Sequence, residues 1–317
     1  MIKFLKKSVL LIGIVVLCFC AFILFDLCIV GSQYELNYQA ALTDKLDRLK
    51  SIDEPKIILV GHSNLAFGID SQQIEDALSM PVVNLGLHGG LGNAFHEEIA
   101  KPYIGEGDIV VICHSDFGDG TIDGSLAWVT AKCTPEAFPT LWKIDPMAMV
   151  KAYPEHLKRD LALWATHTGN RQPKDHYARN SFNIYGDLVY KPSIGQMDTN
   201  SFFSQTAVST PSIDDACIER LNRYARYVRE QGAIPVIAGY PIAYGEYSTC
   251  DADDFQAFEE MLRSALECDV ISNYTDYFYP YDYFYDTALH LTEEGAAVRT
   301  LQLITDLRTW APDRFDS

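Results

Sequence analysis

At 317 residues the chain is long enough for one large domain or two modest ones. With 48% hydrophobic and 21% charged residues it has the makeup of a protein that buries a core, which excludes a disordered chain. The net charge is −18, and residues 1–31 hold Lys3, Lys6, Lys7 and Asp26 for a net of +2, so the remainder carries −20 and is repelled by nucleic-acid backbones and anionic lipid surfaces.

Three lysines precede an apolar run over 9–25, which 27–30 continue beyond Asp26. About 20 helical residues at ~1.5 Å each cross a ~30 Å hydrocarbon layer, so 9–30 predicts one transmembrane helix. Lysines before it and Asp26 near its far end predict the N-terminus inside and the body outside the cytoplasm. A cleaved signal peptide has ~7–15 apolar residues and a small-x-small site. This run is longer, and Phe25-Asp26-Leu27-Cys28 offers no such site. Phe19 and Leu27 stand where a lipoprotein anchor at Cys20 or Cys28 needs a small residue. The expected organisation is a tip and anchor over 1–31, a helical stem over 32–52 and a main domain over 53–317.

After Pro55 the pattern changes to short apolar runs between amphipathic segments. Strands are predicted at 56–60, 81–85, 108–113, 233–238 and 270–274. Helices are predicted at 71–79, 93–104, 213–231, 255–267 and 293–307, the last with Thr292 as N-cap. Such alternation means an α/β fold: three α/β/α layers around a mainly parallel five-stranded sheet. Residues 119–211 break the pattern and read as a lid or cap insertion. The tyrosine-rich stretch 274–285 reads as a packed loop.

Of the eight cysteines, Cys18, Cys20 and Cys28 lie in the apolar run and Cys113 reads as a core thiol. In an oxidising compartment Cys133, Cys217, Cys250 and Cys268 have three possible disulfide pairings. No Cys/His spacing points to zinc, and neither metal nor cofactor is expected.

Ligands of open parallel sheets bind at the strands' carboxyl ends. There the sequence places Gly61-His62-Ser63-Asn64, a glycine loop over 86–92, His114-Ser115-Asp116, and Asp286 through His290 before the last helix. Ser63 follows a buried strand in a tight turn; a serine hydroxyl becomes a nucleophile only with an adjacent base. His290 is the candidate base and Asp286, four residues earlier, its orienting partner, with Asp282 a fallback. The glycine loop can turn N–H groups toward a developing oxyanion. Taken singly these are an N-cap serine, a surface histidine and a turn. His62, His88 and His114 near such a site read as substrate-orienting groups rather than a metal centre.

Together, Gly61-His62-Ser63-Asn64, Asn84-x-Gly86-x-x-Gly89 and Asp286…His290 resemble the SGNH/GDSL hydrolase superfamily, in particular its membrane-anchored branch of envelope-polymer acyl esterases and acyltransferases. The resemblance implies Ser63 as nucleophile and first oxyanion donor, Gly86 as second donor, His290 as base and Asp286 as its partner. The family's third block, Gly-x-Asn-Asp, corresponds to Cys113-His114-Ser115-Asp116. The asparagine is absent, leaving Ser115, His114 or Asn64 for its role. The implied activity is ester hydrolysis or O-acyl transfer on an acylated glycan or lipid. The alternative is a catalytically weak partner of a membrane O-acyltransferase or polysaccharide export complex.

Overall fold

A computed structural model describes residues 2–26, 31–118, 122–169, 177–189, 212–245 and 251–315. In chain order its helices are α1 (Ile2–Phe25), α2 (Ala41–Ser51), α3 (Ser63–Gly68), α4 (Ser71–Leu78), α5 (Asn93–Ala100), α6 (Gly124–Cys133), α7 (Phe138–Ile144), α8 (Pro146–Thr166), α9 (Asp215–Glu230), α10 (Ala252–Ala265), α11 (Glu293–Trp310) and α12 (Pro312–Phe315). The strands are β1 (Ile57–Gly61), β2 (Val82–Asn84), β3 (Ile109–Cys113), β4 (Ile234–Ile237), β5 (Ile242–Ala243), β6 (Asp269–Val270) and β7 (Phe278–Tyr279).

Five strands form one parallel sheet in the order β2-β1-β3-β4-β6. This is the doubly wound order in which the chain reverses direction beside β1, where a crevice opens. The register of β1 against β3 runs from Ile57↔Ile109 to Gly61↔Cys113, so both strands end level. Alternate residues feed two cores. Ile58, Val60, Val110 and Ile112 pack with α2, α5 and α9, while Ile57, Leu59, Ile109 and Val111 pack with α4 and α11. Apolar runs without polar alternation are what a sheet covered on both faces requires.

The last strand of the sheet is shorter than the apolar run suggests: Asp269–Val270 pairs with β4, and Tyr274 already begins a 3-10 turn. The expected tyrosine loop holds a second small sheet, β5 parallel to β7. Thr292 caps α11 through its side chain.

The stem is not a free spacer. Leu42, Leu46 and Leu49 of α2 enter the main core. Lys45 of the same helix is buried, donates to the Asn84 carbonyl at 3.0 Å and to the Gly186 carbonyl, and has its pKa pushed down to about 7 by burial. The described part of the insertion is helical and packed: Trp128 of α6 is fully buried and its indole N–H donates to Met149 O of α8 at 2.8 Å.

The helix α1 is long and apolar enough to cross a membrane. Its far end meets the insertion through charge. Asp26, 1% exposed, lies 2.9 Å from Lys132 Nζ. Lys132 also pairs with buried Asp160, to which Tyr34 donates, and His156 Nε2 is 3.1 Å from the same carboxylate. Tyr153 OH is 3.5 Å from Asp26, and its ring meets Phe19 of α1 edge-on.

Among the described residues no disulfide joins Cys133, Cys217 and Cys268, and Arg220 Nη1 lies 3.7 Å from Cys217 Sγ; Cys250 lies outside the described residues. Burial pushes the Cys133 and Cys268 thiols up to about 12.

Candidate active site

Ser63 opens α3 directly beyond β1, half-buried. Its N–H precedes the first hydrogen-bonded turn, where helices leave donors without intrahelical acceptors. The turn is pinned from behind by Arg299 of α11, fully buried, whose guanidinium donates to Asn64 O and lies 3.4 Å from Gly239 O.

His290 arrives from the other end of the chain. Tyr285 N–H donates to His290 O at 2.8 Å, and the Thr287 hydroxyl accepts from the N–H groups of Leu289 and His290 at 3.2 and 3.1 Å. These bonds fold 285–290 into a closed loop, which is how an acid four residues before the histidine still reaches it. His290 Nδ1 lies 2.7 Å from Asp286 Oδ1, and Nε2 lies 2.8 Å from Ser63 Oγ. Phe67 stacks flat on the imidazole at 4.0 Å and 6°. A hydroxyl, an imidazole and a carboxylate in line can move a proton off the hydroxyl. Asp282 does not enter this chain of bonds; Asp286 holds the imidazole.

Tyr177, from the insertion, was not singled out by its sequence context. Its hydroxyl donates to Asp286 Oδ2 and lies 3.2 Å from His290 Nδ1. Burial, then the bond to Asp286, raises its pKa, so it remains a neutral donor.

The expected oxyanion donors are placed differently. The Gly86 N–H donates to Asn84 Oδ1 at 2.8 Å and is already committed. Gly86 is glycine for space: a Cβ there would meet Leu65 Cβ at 2.6 Å and Ala66 N at 2.7 Å. Asn84 is the hub, its amide donating to Leu65 O at 3.0 Å and Asp187 Oδ1 at 2.8 Å, so the second block braces α3. Asn64 turns into the core and donates to Cys113 O at 3.1 Å. His114 is buried beneath the site with Nε2 3.0 Å from Glu97 Oε1, which Arg220 holds at 3.2 Å. Of the third-block candidates only Ser115 stays half-exposed, with Oγ 3.3 Å from His62 Nδ1.

His62, His96 and His114 form a buried cluster of tilted rings, with centroids 5.1 Å (His62–His96) and 5.4 Å (His62–His114) apart. Burial first, and then the neighbouring rings, drives His62 down to about 4 and His96 well below its ordinary value. His88 sits on the exposed rim; burial and then nearby His290 lower its pKa. Among the described residues no cluster of His, Cys, Asp or Glu is arranged to hold a metal. His176 lies outside the described residues.

His62 and His96 make acid lability an expected property. Between about pH 6.5 and 4 the unfolded chain protonates these two histidines and the folded chain does not, so stability falls as pH drops through that window and is level above it. The effect is on the order of a few kcal/mol. The melting midpoint of the full chain in detergent is expected to fall from pH 7.5 to pH 5; an unchanged midpoint contradicts neutral burial.

No protein-family model and no curated protein matches the sequence.

Proposed function

We propose that the chain is a serine esterase or O-acyltransferase of the SGNH type, anchored by α1, acting through an acyl-serine intermediate on an acylated cell-envelope glycan or lipid. The observation that carries the reading is the line of contacts Ser63 Oγ–His290 Nε2–His290 Nδ1–Asp286 Oδ1 at 2.8 and 2.7 Å, from segments 227 residues apart.

In this mechanism Ser63 Oγ attacks the ester carbonyl as its proton passes to His290 Nε2. The Asp286 carboxylate accepts the Nδ1–H bond and stabilises the imidazolium. The Ser63 N–H faces the developing oxyanion, and the Ser115 hydroxyl is the second donor. The imidazolium then protonates the leaving alkoxide. Water or a glycan hydroxyl attacks the acyl-serine with His290 as base, and Ser63 is restored. No cofactor takes part.

Tethering through α1, with Lys3, Lys6 and Lys7 on the cytoplasmic side, puts the domain outside the cytoplasm beside envelope substrates. The committed Gly86 N–H favours a second reading: a weakly catalytic domain serving a membrane O-acyltransferase. Losing one oxyanion donor typically costs about 10²–10³ in rate.

The test is labelling of the detergent-solubilised full chain by a fluorophosphonate. The probe is expected on Ser63 and absent from Ser63→Ala. Undiminished labelling of the alanine variant rejects Ser63 as nucleophile, and full cellular function of that variant favours the partner reading.

A further inference from the structure

We propose that the outer flank of α8 is a membrane-contact surface, resting in the lipid boundary at the far end of α1. This rests on α1 crossing a membrane and is independent of the ester chemistry.

Met147, Val150, Pro154, Leu157, Leu161 and Trp164 follow one another at intervals of three and four, which aligns them along one side of the helix. Four of them are strikingly bare for a packed domain: Met147 is 57% exposed, Val150 52%, and Leu161 and Trp164 50% each. Met149, Tyr153, His156 and Asp160 take the neighbouring face and are buried. An apolar stripe left largely in water, with Leu157 at its middle half-buried against the core, on a helix already anchored along another face marks a contact surface.

The position of α8 argues for lipid as the occupant. Tyr153 touches Phe19, which lies six residues before the end of α1 at Phe25, about 9 Å of helix inside the span. The bonds of Asp26 to Lys132 and Tyr153 hold that junction. These contacts set α8 alongside the end of α1, within reach of the lipid boundary. Its chemistry fits the boundary. Trp164, and Trp142 of α7 at 39% exposure, are the residue type that settles between hydrocarbon and headgroups. Exposed Lys151 and Lys158 border the stripe, with stems long enough to reach headgroups. The helix carries Lys151, Lys158 and Arg159 against Glu155 and Asp160, so the acidity of the body does not extend to this face. An apolar flank edged by cations is the pattern of a helix lying in the interface.

The experiment uses the full chain, one copy per lipid nanodisc, in a Trp142→Phe background. Phosphatidylcholine brominated near the headgroup is expected to quench Trp emission more than deeply brominated lipid. With Trp310, half-exposed at the end of α11, also replaced by Phe, Trp164→Phe is expected to remove most of the quenchable signal, because Trp128 is buried in the protein. The pair Val150→Glu and Leu161→Glu is expected to reduce quenching at an unchanged melting midpoint. The proposal falls if acrylamide in the aqueous phase quenches Trp164 and brominated lipid does not. It also falls if Trp164 is shielded only in discs that hold two copies, which assigns the face to a second chain.

Discussion

Replacing His290 by alanine is expected to lower kcat/KM of the full-length protein for an aryl acetate ester by about 10⁴-fold or more. The size follows from the geometry. Ser63 Oγ has His290 Nε2 at 2.8 Å, and without that nitrogen the hydroxyl has no base positioned for its proton. Ser63→Ala is expected to cost about as much, and the double variant no more than either alone, because members of one proton chain act as a unit. A double variant slower by the product of the two single losses shows that the groups act separately. Asp286→Asn is expected to fall short of the ~10⁴-fold loss known for a buried partner, since the Asp286 side chain is 31% exposed and water can replace part of its effect. Tyr177→Phe removes one hydrogen bond from that carboxylate and is expected to lower the rate about ten- to a hundredfold, in keeping with ~1.5–3 kcal/mol for a bond to a charged acceptor. A Tyr177→Phe loss equal to that of His290→Ala assigns the tyrosine a part in the proton transfer itself.

How far this arrangement was legible follows from which signals are periodic and local. The five strands of the main sheet stand within a few residues of the apolar runs, because strands buried on both faces read as unbroken Val/Ile/Leu. Their carboxyl ends mark Ser63 and the stretch before α11 marks His290, so the residues to inspect could be chosen from the sequence. Their contact could not, since it depends on a loop closed by the Thr287 hydroxyl and the Tyr285–His290 backbone bond. Gly86 shows the limit of a motif. The block Asn84-x-Gly86 is visible, but whether its N–H faces a ligand or the Asn84 side chain is set by how closely α3 approaches. The pairing of β5 with β7 involves two residues on each side, too few to carry a period. Arg299 and Tyr177 reach the site from far along the chain, and neither sits in a pattern that marks it. The packing of α2 was obscured by Asp44, Lys45, Asp47, Arg48 and Lys50, which read as a solvated stem although its leucines share one buried face.

The same difference between composition and burial governs the largest stability effect expected. Lys132→Met is expected to lower the melting midpoint of the full chain in detergent by on the order of 10 °C. The substitution keeps the volume and removes the cation paired with both Asp26 and Asp160, which are fully enclosed. A buried pair gains little over apolar packing when intact, but stripping one partner leaves uncompensated charge and costs about 3–5 kcal/mol. Here one ammonium answers two carboxylates. In the intact junction His156, driven down to about 3 by burial first and then by Lys132, is neutral and adds no second cation. Lys50→Met is the matched surface case. Lys50 Nζ is 2.7 Å from Glu136, closer than the 2.9 Å of Lys132 to Asp26, yet both side chains are over a third exposed. Solvent screening limits that pair to about 0–1 kcal/mol, so little change is expected. Adding Asp26→Asn and Asp160→Asn to Lys132→Met neutralises the stranded charges and is expected to restore part of the midpoint. If Lys132→Met melts no earlier than Lys50→Met, the end of α1 is not enclosed against α6 and α8. The N-terminal apolar helix then joins the body as a loose tether rather than through this junction.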